Sequence, residues 1–569
     1  MRWIPATPPT ATVDALVREL GIPRLQAHLL AARGITEPGE ARAFLAPSLR
    51  AFPDPFTMPD MDRAAARLAR AVQEGERILV WGDYDVDGIT ATVLLLSFLE
   101  DCGAGADFYL PHREDDGYGM NLPRALKAVE DGVRLVVTVD CGTANHSEVE
   151  HLASAGVDVI VTDHHALQGA APPALAFLNP QRDDAPAAFR PLAGVGVAFL
   201  LVAAARRVLD PGGGRTPPLT SYLDVVALGT IADMVPLQGV NRSLVFHGLR
   251  GWERPARPGL AALKRVAGVE DRGLDSGAIA FTIGPRLNAA GRLDTARRSV
   301  DLLRTPSFGE GLAMARELDR LNTERKTLEA AIFAQALDQV AARHGTATPG
   351  VVVVAGEGWP RGVLGIVASR LAARYHRPAL ALGLDQEGSA SGSGRSIRGF
   401  HLVRALEGTR DLLDRFGGHA MAAGLTLPAA RLDALRERLQ AALAATLSPE
   451  DLEPCLAVDV ELTLDTLDAS SVQAVEALAP FGAGNPEPLF LSRGVPVLAR
   501  QNVGRDPVHL KLVLDGGGGR RLEAIAFHRA GEVLSAGDRV DLVYVPEVRT
   551  FRGVRSLRLR VEDLRGSAP

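Results

Sequence analysis

From about residue 60 to 180, short apolar runs alternate with stretches of helical spacing. RILVWGD, DFYLP, RLVVTVD, VDVIVTD and LAFLNP read as strands, with a helix over about 89 to 99 after the first. This alternation predicts βαβ units and a parallel sheet with helices on both faces. Residues 191 to 300 read as mainly helical, broken by the turn-rich DPGGGR at 210 to 215. Apolar positions at 314, 318, 321, 328, 332, 333, 337 and 340 predict a long helix interrupted by the polar patch NTERKT. The patch makes it a connector with a solvated middle, or two helices with a turn between them. A second α/β unit opens at VVVVAGEGW (351 to 359) and holds the Gly/Ser-rich loop SASGSGRSIRGF (389 to 400) and the turn FGGHAMAAG (416 to 424). After about residue 450, short strands with turns at GAGNPEP and DGGGGR and a basic ending, TFRGVRSLRLRV, suggest a small β-barrel.

Composition adjusts this picture in three ways. A chain of 569 residues is too long for one core, so several domains are expected. The net charge of −6 means that any nucleic-acid surface is a local basic patch. Three scattered cysteines offer neither a disulfide framework nor a zinc pair, which fits a reducing compartment. The N-terminal stretch lacks the apolar core of a signal peptide, and the longest apolar run, 195 to 205, is too short for a bilayer. A cytoplasmic protein without a membrane partner is expected.

Carboxylates and imidazoles recur where the predicted strands end. GDYDVDG carries Asp83, Asp85 and Asp87 at alternate positions, Asp140 closes RLVVTVD, Asp163, His164 and His165 close VDVIVTD, and Asp233 lies in DVVALGTIADMVPL. The carboxyl edge of an open parallel sheet is where such folds bind ligands. The spacing at 83 to 87 also opens an EF-hand loop, but that loop needs a Glu at its twelfth position, where this chain has Leu94, and a helix in front, where this chain has a strand. Oxygen donors joined by imidazole suit Mn²⁺ or Mg²⁺, and a pair of such ions can drive phosphoryl displacement.

These motifs, in this order, resemble the DHH phosphoesterase superfamily. GPRLNAAGR (284 to 292), SGSGRS (391 to 396) and FGGHAMAAG are similar to the RecJ branch, with its DHHA1 domain, and GAGNPEP followed by a barrel extends the likeness nearly to the end. The resemblance implies two α/β domains, a DHH domain with a parallel sheet and a DHHA1 domain, joined by a long helix and followed by an OB-like barrel. The expected division is an N-terminal helical segment (1–60), the DHH catalytic domain (61–310), the connecting helix (311–345), the DHHA1 substrate-binding domain (346–448) and a nucleic-acid-binding barrel (449–569).

The implied activity is 5′-to-3′ hydrolysis of single-stranded DNA to mononucleotides in recombination and repair, with two Mn²⁺ or Mg²⁺ ions. Asp85, Asp87, Asp140, His164 and Asp233 would hold the metals, with His165 as a ligand or a contact to the scissile phosphate. Asp83 would be a ligand or a partner orienting one, and Asp163 would fix the imidazoles. Arg286, Asn288, Arg292, Ser393, Gly394, Arg395 and His419 would meet substrate phosphates. A single-strand-binding protein and a helicase are implied as partners, and a monomer as the working state. Arg549, Arg552, Arg555, Arg558 and Arg560, with Phe551 and His509 to Lys511, form either a groove for the strand or an ordinary solvated face. The competing readings are a hydrolase of oligoribonucleotides or cyclic dinucleotides, which usually lacks a terminal barrel, and a DNA-binding scaffold without catalysis.

Overall fold

The structure is a computed structural model that describes residues 1–113, 115–167, 169–270, 274–551 and 554–567, apart from the side chains of 549–551 and 554–555. The chain forms two compact units: Pro53–Val235 with His247–Pro454, and Met1–Phe52 with Pro236–Phe246 and Cys455–Pro569.

In the larger unit the predicted apolar runs become five parallel strands in the order Ala106–Tyr109, Ile78–Trp81, Leu135–Val139, Asp158–Thr162, Ala176–Leu178. Alternate side chains point to opposite faces. Leu79, Trp81, Val136, Val159 and Val161 pack on one face with Ala125, Ala128, Val149 and Leu152 of helices Leu122–Glu130 and His146–Ser154. Helices Val86–Asp101 and Gly194–Leu209 lie against the sheet as well and pack on each other and on Leu223–Ala232. Residues 86 to 96, 194 to 205 and 223 to 231 of these helices are buried throughout and mostly apolar, the pattern of a doubly covered sheet.

One continuous helix, Phe308–His344, follows. The NTERKT patch does not interrupt it: Thr323, Glu324, Lys326 and Thr327 face solvent, as a connector with a solvated middle requires, while the other two residues of the patch turn inward. Asn322 and Arg325 are buried, with Arg325 bonded to Asn322 at 3.0 Å and to Glu329 at 2.9 Å, while Arg370 reaches Glu329 at 3.1 Å. Polar residues spaced at three and four along a helix satisfy one another and can be buried together.

A second sheet has the order Arg415–Gly418, Ala422–Pro428, Ser389–Arg395, Ala379–Leu384, Val352–Glu357; its last pair is parallel and the rest are antiparallel. Thus most of the Gly/Ser segment expected as a loop is a central strand. Its glycines are needed for packing: a Cβ on Gly392 would collide with the Ala381 carbonyl. FGGHAMAAG is a hairpin, with His419 to Met421 between the two strands.

In the smaller unit the N-terminal segment, expected to be helical, begins with a strand, Arg2–Pro5, parallel to Cys455–Val458. Helices Thr10–Leu20, Arg24–Ala32 and Pro38–Leu45 follow. Strands Phe490–Val503, His509–Asp515, Arg521–Ala526, Val554–Gly566 and Arg539–Phe551 pair in that order, and the last pairs back to the first, which closes the barrel. Inside are Leu510, Leu512, Leu514, Leu522, Ala524, Val540, Leu542 and Leu559.

Candidate metal centre

The carboxyl ends of the central strands bring the predicted acids and imidazoles together, and local geometry explains each position. The turn after Ile78–Trp81 ends at Asp85, whose side chain caps the next helix by accepting from the Asp87 N–H at 2.9 Å and the Gly88 N–H at 3.3 Å. A cap of this kind stabilises by about 1 kcal/mol. Gly88 is obligatory, since a Cβ there would lie 2.6 Å from the Asp83 backbone N and O. Asp87 accepts from the Gly194 and Val195 N–H groups at 2.6 and 2.9 Å, the first donors of helix Gly194–Leu209, so a helix N-terminus holds this carboxylate. Asp140 leaves its strand with φ of 63°, a conformation Asp tolerates better than most residues. Asp163 accepts from Thr143 N–H at 2.9 Å, His164 N–H at 2.7 Å, His165 N–H at 3.2 Å and the His165 Nδ1 at 2.7 Å. Asp233 sits at the C-terminal end of Leu223–Ala232.

His164 Nε2 lies 3.2 Å from Asp140 Oδ1, 3.7 Å from Asp233 Oδ2 and 3.8 Å from Asp87 Oδ2. Three groups each place one ligand atom per residue within 4.8 Å of the others: Asp140, His164 and His165; Asp87, His164 and Asp233; Asp83, Asp85 and Asp140. Burial first, then repulsion between carboxylates, raises Asp83 and Asp140 well above the usual range, Asp87 to about 7 and Asp233 to about 9. Burial and the neighbouring His165 charge push His164 down to about 4. Burial also opposes the charge on His165, but the Asp163 carboxylate raises that ring to about 9. For Asp163 burial is outweighed by its hydrogen bonds from His165 and Thr143, which hold it below the ordinary carboxylate value.

Asp83 Oδ1, Asp140 Oδ1 and His164 Nε2 are buried with no hydrogen-bond partner among the described residues. Buried acceptors are ordinarily paired, and converging anions this deep call for a cation. A donor set of carboxylate oxygens with imidazole nitrogen fits Mn²⁺ or Mg²⁺.

A basic wall stands beside the cluster. Arg292 donates to the Gly362 carbonyl at 2.6 Å, at the start of helix Arg361–Tyr375. Burial and the fields of Arg113, Arg325 and Arg395 push its guanidinium down to about 10. Arg395 donates to the Gly394 carbonyl at 2.9 Å, and a Cβ on Gly365 would lie 2.9 Å from its Nη2, so this helix passes directly over the strand that carries Ser393 and Arg395. His419 accepts from the Met421 N–H at 3.3 Å, and burial, then Arg395, His165 and His401, lower its pKa.

Two residues expected at substrate are engaged elsewhere. Arg286 is bonded to Asp319 at 2.9 Å and to the Thr282 carbonyl at 2.6 Å. Asn288 Oδ1 accepts from the Val86 N–H at 3.1 Å and braces the acidic turn. In helix Gly284–Leu293, positions 288 and 292 share a face and 286 does not. Arg558 and Arg560 are paired with Glu547, and Arg560 also with Glu487 and Glu562. The side chains of Arg549, Phe551, Arg552 and Arg555 lie outside the described residues. Sequence reasoning missed Arg113, whose guanidinium lies 3.9 Å over the Tyr84 ring, and Tyr118, whose hydroxyl is 3.0 Å from His165 Nδ1. Both follow the strand Ala106–Tyr109, so the strand-end rule applied to DFYLP would have found them.

The DHH family, N-terminal domain, matches residues 77–230, the DHHA1 domain matches 348–445 and the RecJ OB domain matches 458–563. The single-stranded-DNA-specific exonuclease RecJ of Bacillus subtilis is 36% identical, covering 99% of this chain and 70% of its own length. That of Escherichia coli is 36% identical over 95% of this chain and 96% of its own. The chain belongs to the RecJ family. Among solved structures, RecJ from Thermus thermophilus in complex with Mn²⁺ is 33% identical, with a TM-score of 0.85 over 100% of this chain and 80% of that one. The same RecJ with Mg²⁺ gives a TM-score of 0.79 at 30% identity, over 100% of this chain and 79% of that one.

Proposed function

We propose that the chain is a metal-dependent 5′-to-3′ exonuclease that hydrolyses single-stranded DNA to 5′-mononucleotides in recombination and repair. The observation that carries the reading is the buried cluster of Asp83, Asp85, Asp87, Asp140, His164, His165 and Asp233, with unpaired ligand atoms, set against a wall of arginines. Two divalent cations would be its occupants: Asp87, His164 and Asp233 are placed to hold one, Asp83, Asp85 and Asp140 to hold the other, and His164 and His165 also converge on Asp140. When bound, such ions lower the pKa of water and neutralise charge building on the phosphate oxygens. The chain's own residues do the rest. Gly194 and Val195 N–H groups aim Asp87, Asp163 orients the His165 ring and holds the His164 N–H, and Asn288 braces the turn that bears Asp83 to Asp87.

Arg292, Arg395, Ser393 and Gly394 are the groups suited to a terminal 5′ phosphate, with Arg113 and His419 beside them. A site that engages the phosphate end next to the hydrolytic cluster sets the cut at one nucleotide from the end. Arg286 has its charge balanced by Asp319 and serves the helix instead.

Of the finer expectations, the count of two ions rests on the acidity of the cluster together with the family resemblance, the cytoplasmic location on the sequence composition and N-terminal stretch, and a monomer with a single-strand-binding protein and helicase as partners on the resemblance alone. Among the described residues no helix is long and apolar enough to cross a membrane. Neither competing reading is favoured, because the cluster is complete and the barrel is present.

The test is time-resolved digestion of 5′-phosphorylated, 3′-labelled single-stranded DNA beside duplex and dinucleotide controls. Shortening from the 5′ end to mononucleotides, with Mn²⁺ but not EDTA and lost in Asp140→Ala, supports the reading. Cleavage of dinucleotides alone, or cleavage that survives in Asp140→Ala, overturns it.

A further inference from the structure

The segment between Ala106–Tyr109 and Leu122–Glu130 carries Tyr118, which no part of the reading above uses. This segment is held down at both ends. Asp116 accepts from the Tyr109 hydroxyl at 2.8 Å and the His112 N–H at 2.7 Å. Asn145 accepts from the Met120 N–H at 3.1 Å and donates to the Met120 carbonyl at 3.0 Å. Gly117 and Gly119 flank the tyrosine with φ of 80° and 83°, and a Cβ on Gly119 would lie 2.6 Å from Asn145 Oδ1, so the path of the chain is specified on both sides.

The hydroxyl of Tyr118 meets two members of the cluster at once. It donates to the Asp140 carbonyl at 3.2 Å and lies 3.0 Å from His165 Nδ1. Its ring meets the His165 ring edge-on, with centroids 5.4 Å apart. That Nδ1 is also 2.7 Å from Asp163 Oδ1. The single Nδ1–H of His165 is therefore shared by two acceptors, the Asp163 carboxylate and the phenol oxygen of Tyr118, whose own hydrogen goes to the Asp140 carbonyl. A single hydrogen bond leaves an imidazole free to pivot about it; two partners and an aromatic contact fix the ring plane and leave Nε2 as the nitrogen available to a cation or a phosphate oxygen. Because Tyr118 also binds the main chain of Asp140, it couples the ends of two adjacent strands.

We infer that Tyr118 is a positioning residue of the metal centre, acting through His165. The inference rests on the reading that His165 belongs to that centre. Partners of ligand residues typically change metal affinity or activity by about 10- to 100-fold when removed.

The experiment compares wild type, Tyr118→Phe, His165→Ala and the double variant by two readouts: kcat and KM for excision from a 5′-phosphorylated single-stranded oligonucleotide, and Mn²⁺ affinity by electron paramagnetic resonance titration. Tyr118→Phe keeps the ring and loses only the hydroxyl. It is expected to lower kcat about tenfold, with KM within about twofold of wild type, and to weaken Mn²⁺ binding, at an unchanged melting temperature. In the His165→Ala background the same change is expected to have no further effect. Wild-type kcat and Mn²⁺ affinity in Tyr118→Phe, a change in KM alone, or an equal loss with and without His165 overturns the inference while leaving the metal-centre reading intact. If His165→Ala itself matches wild type in both readouts, the place of His165 in the centre fails and the inference falls with it.

Discussion

Gly194 offers a sharp test of how tightly the centre is built, because its missing side chain is what lets Asp140 approach the end of helix Gly194–Leu209. A Cβ at residue 194 would lie 2.5 Å from Asp140 Oδ1 and 2.6 Å from Asp140 Cβ. Non-bonded carbon contacts are comfortable at about 3.5 Å, so Gly194→Ala must be relieved by roughly 1 Å of movement. Neither side can yield freely. Asp140 is buried and holds the Thr162 carbonyl through its N–H at 2.9 Å, while the Gly194 N–H is bonded to Asp87 at 2.6 Å. Movement therefore displaces Asp140, Asp87 or both. A displacement of about 1 Å in a reacting geometry costs about 100-fold in rate, and overpacking a tight site costs about 1–3 kcal/mol of stability. The assay is kcat on 5′-phosphorylated single-stranded DNA at saturating Mn²⁺, with urea denaturation of each protein. Gly196→Ala is the control: the atoms nearest its Cβ would be those of the Leu192 side chain, the closest at 2.7 Å, so it loses stability with kcat near wild type. Wild-type kcat in Gly194→Ala would refute the reasoning.

Asp163→Asn removes the carboxylate that meets Thr143, His164 and His165, and Mn²⁺ affinity measured by titration is expected to fall by about 10- to 100-fold. Asn288→Ala leaves the Val86 N–H without its partner, which is expected to lower unfolding free energy by about 1–3 kcal/mol and to reduce excision. Without metal, Asp87 and Asp233 titrate at about 7 and about 9, so the folded chain keeps protons that the unfolded chain releases at about pH 4. The resulting stabilisation is full below that unfolded value and is lost as pH rises through the folded values. The melting temperature of the metal-free protein is therefore expected to fall between about pH 5 and pH 9, and Mn²⁺ to restore more of it at the upper end; a flat profile would count against the buried cluster.

The sheet and the acids at its edge were legible because burial on both faces demands continuous apolar strands, and a metal cluster demands carboxylates at the points where those strands stop. What the chain concealed lies where tertiary contact overrides local pattern. Ser389–Arg395 has the composition of a loose loop, yet it forms a central strand because small residues are what the neighbouring strand and the overlying helix leave room for. NTERKT reads as solvent-facing, and Thr323, Glu324, Lys326 and Thr327 are exposed, but its inner face holds Arg325 paired with Glu329 inside the larger unit. Arg286 and Arg292 lie in one motif and differ only in helical face, so the first pairs with Asp319 and the second stands near the cluster. Tyr118 and Arg113 carry no motif at all; only the strand end before them marks their place.

The most direct measurement is an anomalous difference map from crystals grown with Mn²⁺. The account predicts two manganese peaks inside the cluster, with Asp87, His164 and Asp233 among the ligands of one and Asp83, Asp85 and Asp140 among those of the other. No peak there, or manganese bound only elsewhere on the surface, would contradict it.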